Sequence, residues 1–336
     1  MSAENLHVGV IGATGAVGVE LINVMFDRNF PVGELTLFAS ERSAGKTLET
    51  KYGTKTVTLF SVEEARKCDI VFLAVSGDFA KEYAPQIAAG DGALVIDNSS
   101  AFRLNDDVPL IVPEINGDLA KTAKLIANPN CTTAIAAVAL WPLHQAFGLK
   151  KVFVSTYQAA SGAGQPGMNE LREGLAAGLK GEEIKAEVFS HPLAFNVIPH
   201  IDTFQENGYT REEMKVTWET RKIFGVPDLA ISCTAVRIPT ERTHSESIVV
   251  ETEKPVTPQA ARDVLAKARG VKLVDNPEKL EYPMPINATK QYDVEVGRIR
   301  TNLIFGDHGL ELFVAGDQLL KGAALNAVQI AEASIA

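Results

Sequence analysis

Short apolar runs alternate with stretches of helical periodicity through the first 130 residues. Residues 7–11, 35–39, 70–75, 93–97 and 125–127 are apolar almost without interruption, which predicts strands buried on both faces. Strand and helix in alternation predict an α/β unit of the Rossmann type, with a doubly wound parallel sheet. After residue 130 the texture changes. Residues 152–157, 230–237, 247–251, 292–298 and 310–315 alternate more regularly, and predict an α+β unit around a mostly antiparallel sheet. A helix is predicted over 210–224, where Thr210 and Glu213 read as a capping box, and another over 260–268 behind Thr257-Pro258. The last stretch, 317–336, reads as an amphipathic helix that returns to the first unit. The expected division is therefore 1–130 with 317–336 as one domain and 131–316 as the other.

Composition narrows the possible functions. With 336 residues, 46% of them hydrophobic, the chain can build two cores. Its 32 basic residues stand against 42 acidic ones, a formal charge of −10, so no general attraction to nucleic acid or to an anionic membrane is expected. An anionic ligand must instead be held by locally placed basic groups. Cys68, Cys131 and Cys233 are odd in number and lack the spacing of a zinc site or a disulfide framework, which fits a reducing cytoplasm and no bound metal. The polar first residues lead straight into a strand, and the longest apolar run contains Pro142, so neither export nor membrane insertion is expected.

Three segments carry candidate chemistry. The first is Val8 to Gly18, an apolar strand running into Gly12-Ala13-Thr14-Gly15-Ala16-Val17-Gly18 and then a helix. Glycines at that turn let backbone approach a pyrophosphate, which then lies against the helix N-terminus. The second strand ends in Ser40-Glu41-Arg42-Ser43 rather than in a lone carboxylate; Arg42 and Ser43 suit a 2′-phosphate, so NADP is expected over NAD. The second segment places Cys131 after Pro129 and Asn130, at the first turn of an apolar helix, where free N–H groups and the helix dipole favour a thiolate. In the third, running from Arg237 to Ser247, a strand ends in a basic, proline-interrupted loop that presents His244, the best candidate base among six histidines.

These segments, with several others, resemble the aspartate-β-semialdehyde dehydrogenase family over essentially the whole chain. The resemblance rests on Gly12 to Gly18, Ser40 to Gly45, Asn98-Ser99-Ser100-Ala101-Phe102-Arg103, Asn128-Pro129-Asn130-Cys131-Thr132-Thr133 and Tyr157 to Gly164. It continues in Trp218-Glu219-Thr220-Arg221-Lys222-Ile223, Arg237 to Glu246 and Leu320-Lys321-Gly322-Ala323-Ala324. It implies NADPH-dependent reduction of aspartyl phosphate to aspartate semialdehyde, on the path to lysine, threonine and methionine. By this resemblance Cys131 carries a thioacyl intermediate, His244 is the acid/base and Gln158 orients the substrate. Arg103 and Lys222 match phosphate-binding positions, Arg237 would pair with the substrate α-carboxylate, and Glu219 would take its α-ammonium. The cofactor would meet Gly12, Thr14, Gly15, Ala16, Val17, Ser40, Arg42, Ser43, Ser161, Gly162 and Gln318. At this last position the family commonly has asparagine. A homodimer is implied, with a tetramer as the alternative.

The same thioester chemistry serves acetylated glutamyl phosphate and glyceraldehyde phosphate, but Glu219 with Arg237 favours a free amino-acid end. A non-catalytic nucleotide-binding paralogue should have lost at least one of Cys131, Gln158, Arg237 and His244. A thiol redox sensor is the remaining alternative; there Cys131 would oxidise rather than turn over.

Overall fold

A computed structural model describes residues 5–336. The chain divides into two compact units, one ending at Asn130 and completed by Ala323–Ala336, the other Cys131–Gly322. The stretch 317–322, expected to travel with the terminal helix, groups with the second unit.

The first unit holds a seven-stranded sheet. Its strands are β1 (Leu6–Ile11), β2 (Val32–Ala39), β3 (Thr47–Thr50), β4 (Gly53–Leu59), β5 (Ile70–Leu73), β6 (Leu94–Asp97) and β7 (Leu125–Ala127), in the order β3-β4-β2-β1-β5-β6-β7. All neighbours are parallel except β3 and β4. The central strands are buried along their length, with Val8, Val10, Ile70, Val71, Phe72, Val95 and Ile96 fully enclosed, as an unbroken apolar run requires. The β3–β4 hairpin escapes a periodicity reading because its residues are mostly polar threonine, lysine and glutamate at a sheet edge.

The terminal helix is shorter than expected. It spans Leu325–Ile335 and follows a π-helical turn at Leu320–Ala324. Residues 317–319 are not helical, because the Asp317 carboxylate is occupied by the N–H groups of Leu319 and Lys290 and by Arg242. Within the first unit the helix is fixed by Asn326 Nδ2, which donates to Ile111 O and Asn128 Oδ1, and by Glu332, which takes both Nε and Nη2 of Arg28.

The second unit is built on β8 (Leu149–Gln158), β9 (Ala230–Arg237), β10 (His244–Thr252), β11 (Val271–Leu273), β12 (Val294–Thr301) and β13 (Gly309–Gly316), in the order β11-β12-β13-β10-β8-β9. The three central pairings are antiparallel and the two outer ones parallel. Helices Cys131–Phe147, Arg211–Phe224 and Pro258–Leu265 belong to the same unit. The first of these runs on through Pro142, and its residues from Thr132 to Leu140 are all buried. Thr210 and Glu213 form the expected capping box. Ser161 and Gly162, which by themselves read as a flexible turn, lie in a 3-10 turn at Ala160–Ala163, and a helix over Gly164–Leu179 follows, whose Leu171 packs with Ala160, Leu193 and Ile198.

Glu246 lies in the middle of β10 with no exposed surface, and neither carboxylate oxygen has a partner. Burial raises its pKa well above the ordinary carboxyl value, so the folded chain holds its proton. A carboxyl group that keeps its proton only when folded loses stability as pH rises above the unfolded value. Glu246→Gln should therefore remove that slope: relative to the variant, the native chain should lose unfolding free energy as pH rises from 5 to 8, by at most about 1.4 kcal/mol per pH unit. Urea unfolding at the two pH values measures this, and identical slopes would mean that Glu246 is ionised in the fold.

Candidate active site

Sheet register gathers three polar side chains in the second unit. Gln158 and Arg237 are opposite partners at the ends of β8 and β9, and His244 opens the antiparallel strand β10 one step beyond the Ser245–Tyr157 pair. All three are buried. Two strands that end where a third begins give this cluster its backbone frame.

Ala159, the residue after β8, fixes two of them. Its N–H donates to His244 Nδ1 at 3.0 Å, and its carbonyl accepts from Arg237 Nη1 at 2.6 Å. Because Nδ1 is an acceptor, the neutral imidazole carries its proton on Nε2. The His244 pKa lies well below the ordinary histidine value, first because the ring is buried and then because the Arg237 guanidinium repels a second positive charge. The ring is therefore neutral at physiological pH, with an Nε2–H to donate.

Gln158 is held from two sides. Thr156 Oγ1 donates to its Oε1 at 3.0 Å, and its Nε2 donates to Glu212 Oε1 at 3.2 Å. Its amide nitrogen comes within 3.5 Å of His244 Nε2. Glu212, a member of this cluster, was missed in the sequence, where it reads only as an interior position of a capping box. Its other oxygen pairs with Lys215 at 3.2 Å, and its charge also supports Arg237. A buried carboxylate two residues into a helix next to Gln158 has no signature in the sequence.

Arg237 is the electrostatic hub. Burial lowers its pKa, while the fields of Glu212 and Cys131 act to raise it. Its plane lies over the Phe189 ring at 5.6 Å. Nη1 is spent on Ala159, but Nε is buried and has no partner, a donor left over for an incoming acceptor. Cys131 opens its helix and is partly exposed, whereas Cys68 and Cys233 are buried and burial pushes both thiols up, Cys68 to about 12. They are core residues.

Two glycines admit this crowding. A Cβ at Gly162 would lie 2.8 Å from Arg237 Nη1 and 3.5 Å from His244 Nε2, and one at Gly322 would lie 2.7 Å from the Cys131 Cβ. Any side chain at either place would push a reactive group aside. Gln318 is buried, its Oε1 accepting from Thr243 N–H at 2.7 Å and its Nε2 donating to Ser161 Oγ. Glu219 and Lys222 share one side of the Arg211–Phe224 helix, Glu219 buried and Lys222 partly exposed.

The remaining candidates lie in the first unit. Gly12 has φ +84° and its Cβ would sit 2.2 Å from Ala74 O, while a Cβ at Gly18 would meet Gly12 O at 2.3 Å. Gly15 caps the Ala16–Asp27 helix without a side-chain hydrogen bond, and Thr14 and Gly15 are exposed, so that helix end offers N–H groups to an anion. The glycine turn therefore fits a dinucleotide pyrophosphate. Ser40, Arg42 and Ser43 lie just beyond β2, in a turn closed by Ser43 N–H to Ser40 O at 2.9 Å, and Arg42 is exposed. Arg103 is buried; its Nε donates to Asn128 O at 2.8 Å and its Nη2 to Asn98 O at 2.9 Å, beside the carboxyl ends of β6 and β7. Among the described residues no cluster of histidine, cysteine and carboxylate side chains could hold a metal, and no helix is long and apolar enough to cross a membrane.

Comparison with known proteins agrees with this division. Residues 7–123 match the model of the semialdehyde dehydrogenase NAD-binding domain, and residues 140–321 that of the semialdehyde dehydrogenase dimerisation domain. The chain is 50% identical over 331 residues to aspartate-semialdehyde dehydrogenase of Aquifex aeolicus, covering 97% of each chain. It is 47% identical to that of Synechocystis, covering 97% of this chain and 96% of the relative. Among solved structures, aspartate semialdehyde dehydrogenase II of Vibrio cholerae complexed with ASA superposes with a TM-score of 0.93 at 39% identity, covering 98% of both chains.

Proposed function

The chain belongs to the aspartate-semialdehyde dehydrogenase family and catalyses reductive dephosphorylation of L-4-aspartyl phosphate to L-aspartate 4-semialdehyde, and we propose that Cys131 carries the acyl group between the two half-reactions. The observation that carries this reading is the buried Arg237, coupled electrostatically to Cys131 and left with an unpartnered Nε–H. That donor suits the substrate α-carboxylate, which would set the acyl carbon beside the thiol.

Cys131 thiolate attacks the acyl carbon, the bond to the phosphate oxygen breaks, and phosphate leaves with a proton from solvent. A nicotinamide nucleotide, when bound, supplies the hydride that reduces the resulting thioester. His244 Nε2–H faces the hemithioacetal oxygen and handles its proton, and return of the electron pair to sulfur releases the aldehyde. Gln158, held by Thr156 and Glu212, orients the acyl group. Glu219 takes the substrate α-ammonium, and Arg103 and Lys222 are the phosphate-binding cations. Ser161 and Gly162 would serve the nicotinamide end of the cofactor, and Gly12, Thr14, Gly15, Ala16 and Val17 its pyrophosphate, whereas both arms of the Gln318 amide are already taken by Thr243 and Ser161.

The nucleotide-binding unit accepts an NAD-type cofactor; we read NADP as its form, because exposed Arg42 with Ser40 and Ser43 offers a 2′-phosphate a cation and two hydroxyl groups. We also read the enzyme as a homodimer. The outer sheet face of the second unit carries exposed Phe153 and Tyr157, ring-paired with Phe305 and Phe313, beside Leu303 at 95% and Ile304 at 82% exposure. Apolar surface of that kind is covered in stable proteins, and a second copy is the economical cover.

Two measurements test the assignment. With aspartate semialdehyde, NADP and phosphate, the native chain should form NADPH in a phosphate-dependent reaction that Cys131→Ala lowers by at least about 10³-fold; equal rates would exclude the thioacyl route. Arg42→Ala should raise the KM for NADP about tenfold and leave that for NAD unchanged, and parallel changes would exclude a 2′-phosphate contact.

A further inference from the structure

Thr243, the residue before His244, has φ +77°. A β-branched side chain rarely adopts left-handed backbone, because its two γ substituents crowd the chain. Such a conformation persists only where the surroundings impose it. Thr243 has no exposed surface, and its surroundings can be named. Gln318 Oε1 accepts its N–H at 2.7 Å. Its hydroxyl lies 2.8 Å from Thr289 Oγ1, and since Thr289 donates its own proton to Pro285 O, Thr243 must be the donor. On either side, Asp317 takes Arg242 Nε at 2.7 Å and Lys290 N–H at 2.6 Å.

The second arm of the Gln318 amide reaches Ser161 Oγ, in the turn that carries Gly162 across Arg237 and His244. One side chain therefore ties the backbone immediately before the imidazole to the loop that passes over it. We propose that Gln318 is a positioning residue for His244: by holding Thr243 in the left-handed conformation it sets where the imidazole leaves β10 and keeps Nε2 beside Gln158 and Gly162. The inference deepens the acid/base assignment of His244 and rests on it. It also gives Gln318 a task that does not involve the cofactor.

Glycine adopts positive φ without strain, so a glycine at 243 needs no clasp. This yields a rescue experiment on the full-length enzyme. Gln318→Met keeps the volume but removes both hydrogen bonds; it should lower kcat by about 10²-fold, the scale of a misplaced catalytic group, with the Kd for NADP unchanged. Thr243→Gly added to Gln318→Met should recover about tenfold or more of that loss. Gln318→Asn, which keeps the amide but shortens its reach, serves as a milder variant and should fall between native and Gln318→Met, with rescue in the same direction. A rise in the Kd for NADP with kcat unchanged, or a loss of kcat that Thr243→Gly does not restore, would overturn the proposal and leave Gln318 as a cofactor contact or a structural residue. His244→Asn separates the two layers. Native turnover in that variant would remove the acid/base reading and this proposal with it, whereas an inactive His244→Asn without rescue at 243 overturns the positioning role alone.

Discussion

Ala159 gives both of its backbone groups to buried side chains of the candidate site. Its N–H fixes His244 through Nδ1 and its carbonyl fixes Arg237 through Nη1. The two hydrogen bonds decide which proton the imidazole offers and which guanidinium donor remains for substrate. Backbone cannot change rotamer, so the distance between the imidazole and the guanidinium follows from the fold and not from side-chain entropy. Everything around Ala159 serves to hold that peptide: β8 and β9 end beside it, the 3-10 turn carries the chain away, and Thr240 O and Glu241 O accept the next two N–H groups, those of Ala160 and Ser161.

Electrostatics explains how charged and polar side chains can be buried together here. Burial first, and then the Arg237 cation, suppress protonation of His244; burial also lowers the Arg237 pKa, against which Glu212 and Cys131 act. Removing one member of such a group leaves the others uncompensated, so the site acts as a unit. The neutral imidazole follows from this balance. It donates from Nε2 where oxygen charge develops, and needs no change of protonation to begin.

Much of this was legible in the residues. The apolar runs gave the central strands of the first sheet because strands covered on both faces have little choice of composition. The glycine turn and Cys131 at a helix start could be found because each combines a residue type with a local backbone context; His244 was expected in a loop and instead opens β10. What could not be found depends on contacts distant in sequence. Glu212 gains its role only when the helix at Arg211–Phe224 brings it to Gln158, 54 residues away. The left-handed Thr243 is invisible for the same reason: a threonine gives no local signal of positive φ, and the Gln318 that holds it lies 75 residues further on.

The central claim is that the acyl group passes through Cys131, and mass spectrometry of the trapped enzyme addresses it most directly. Aspartate semialdehyde and NADP, supplied without phosphate, should leave one aspartyl group in thioester linkage on the peptide that carries Cys131, and added phosphate should discharge it. An unmodified Cys131 under conditions that form NADPH, or an adduct on another residue, would contradict the account.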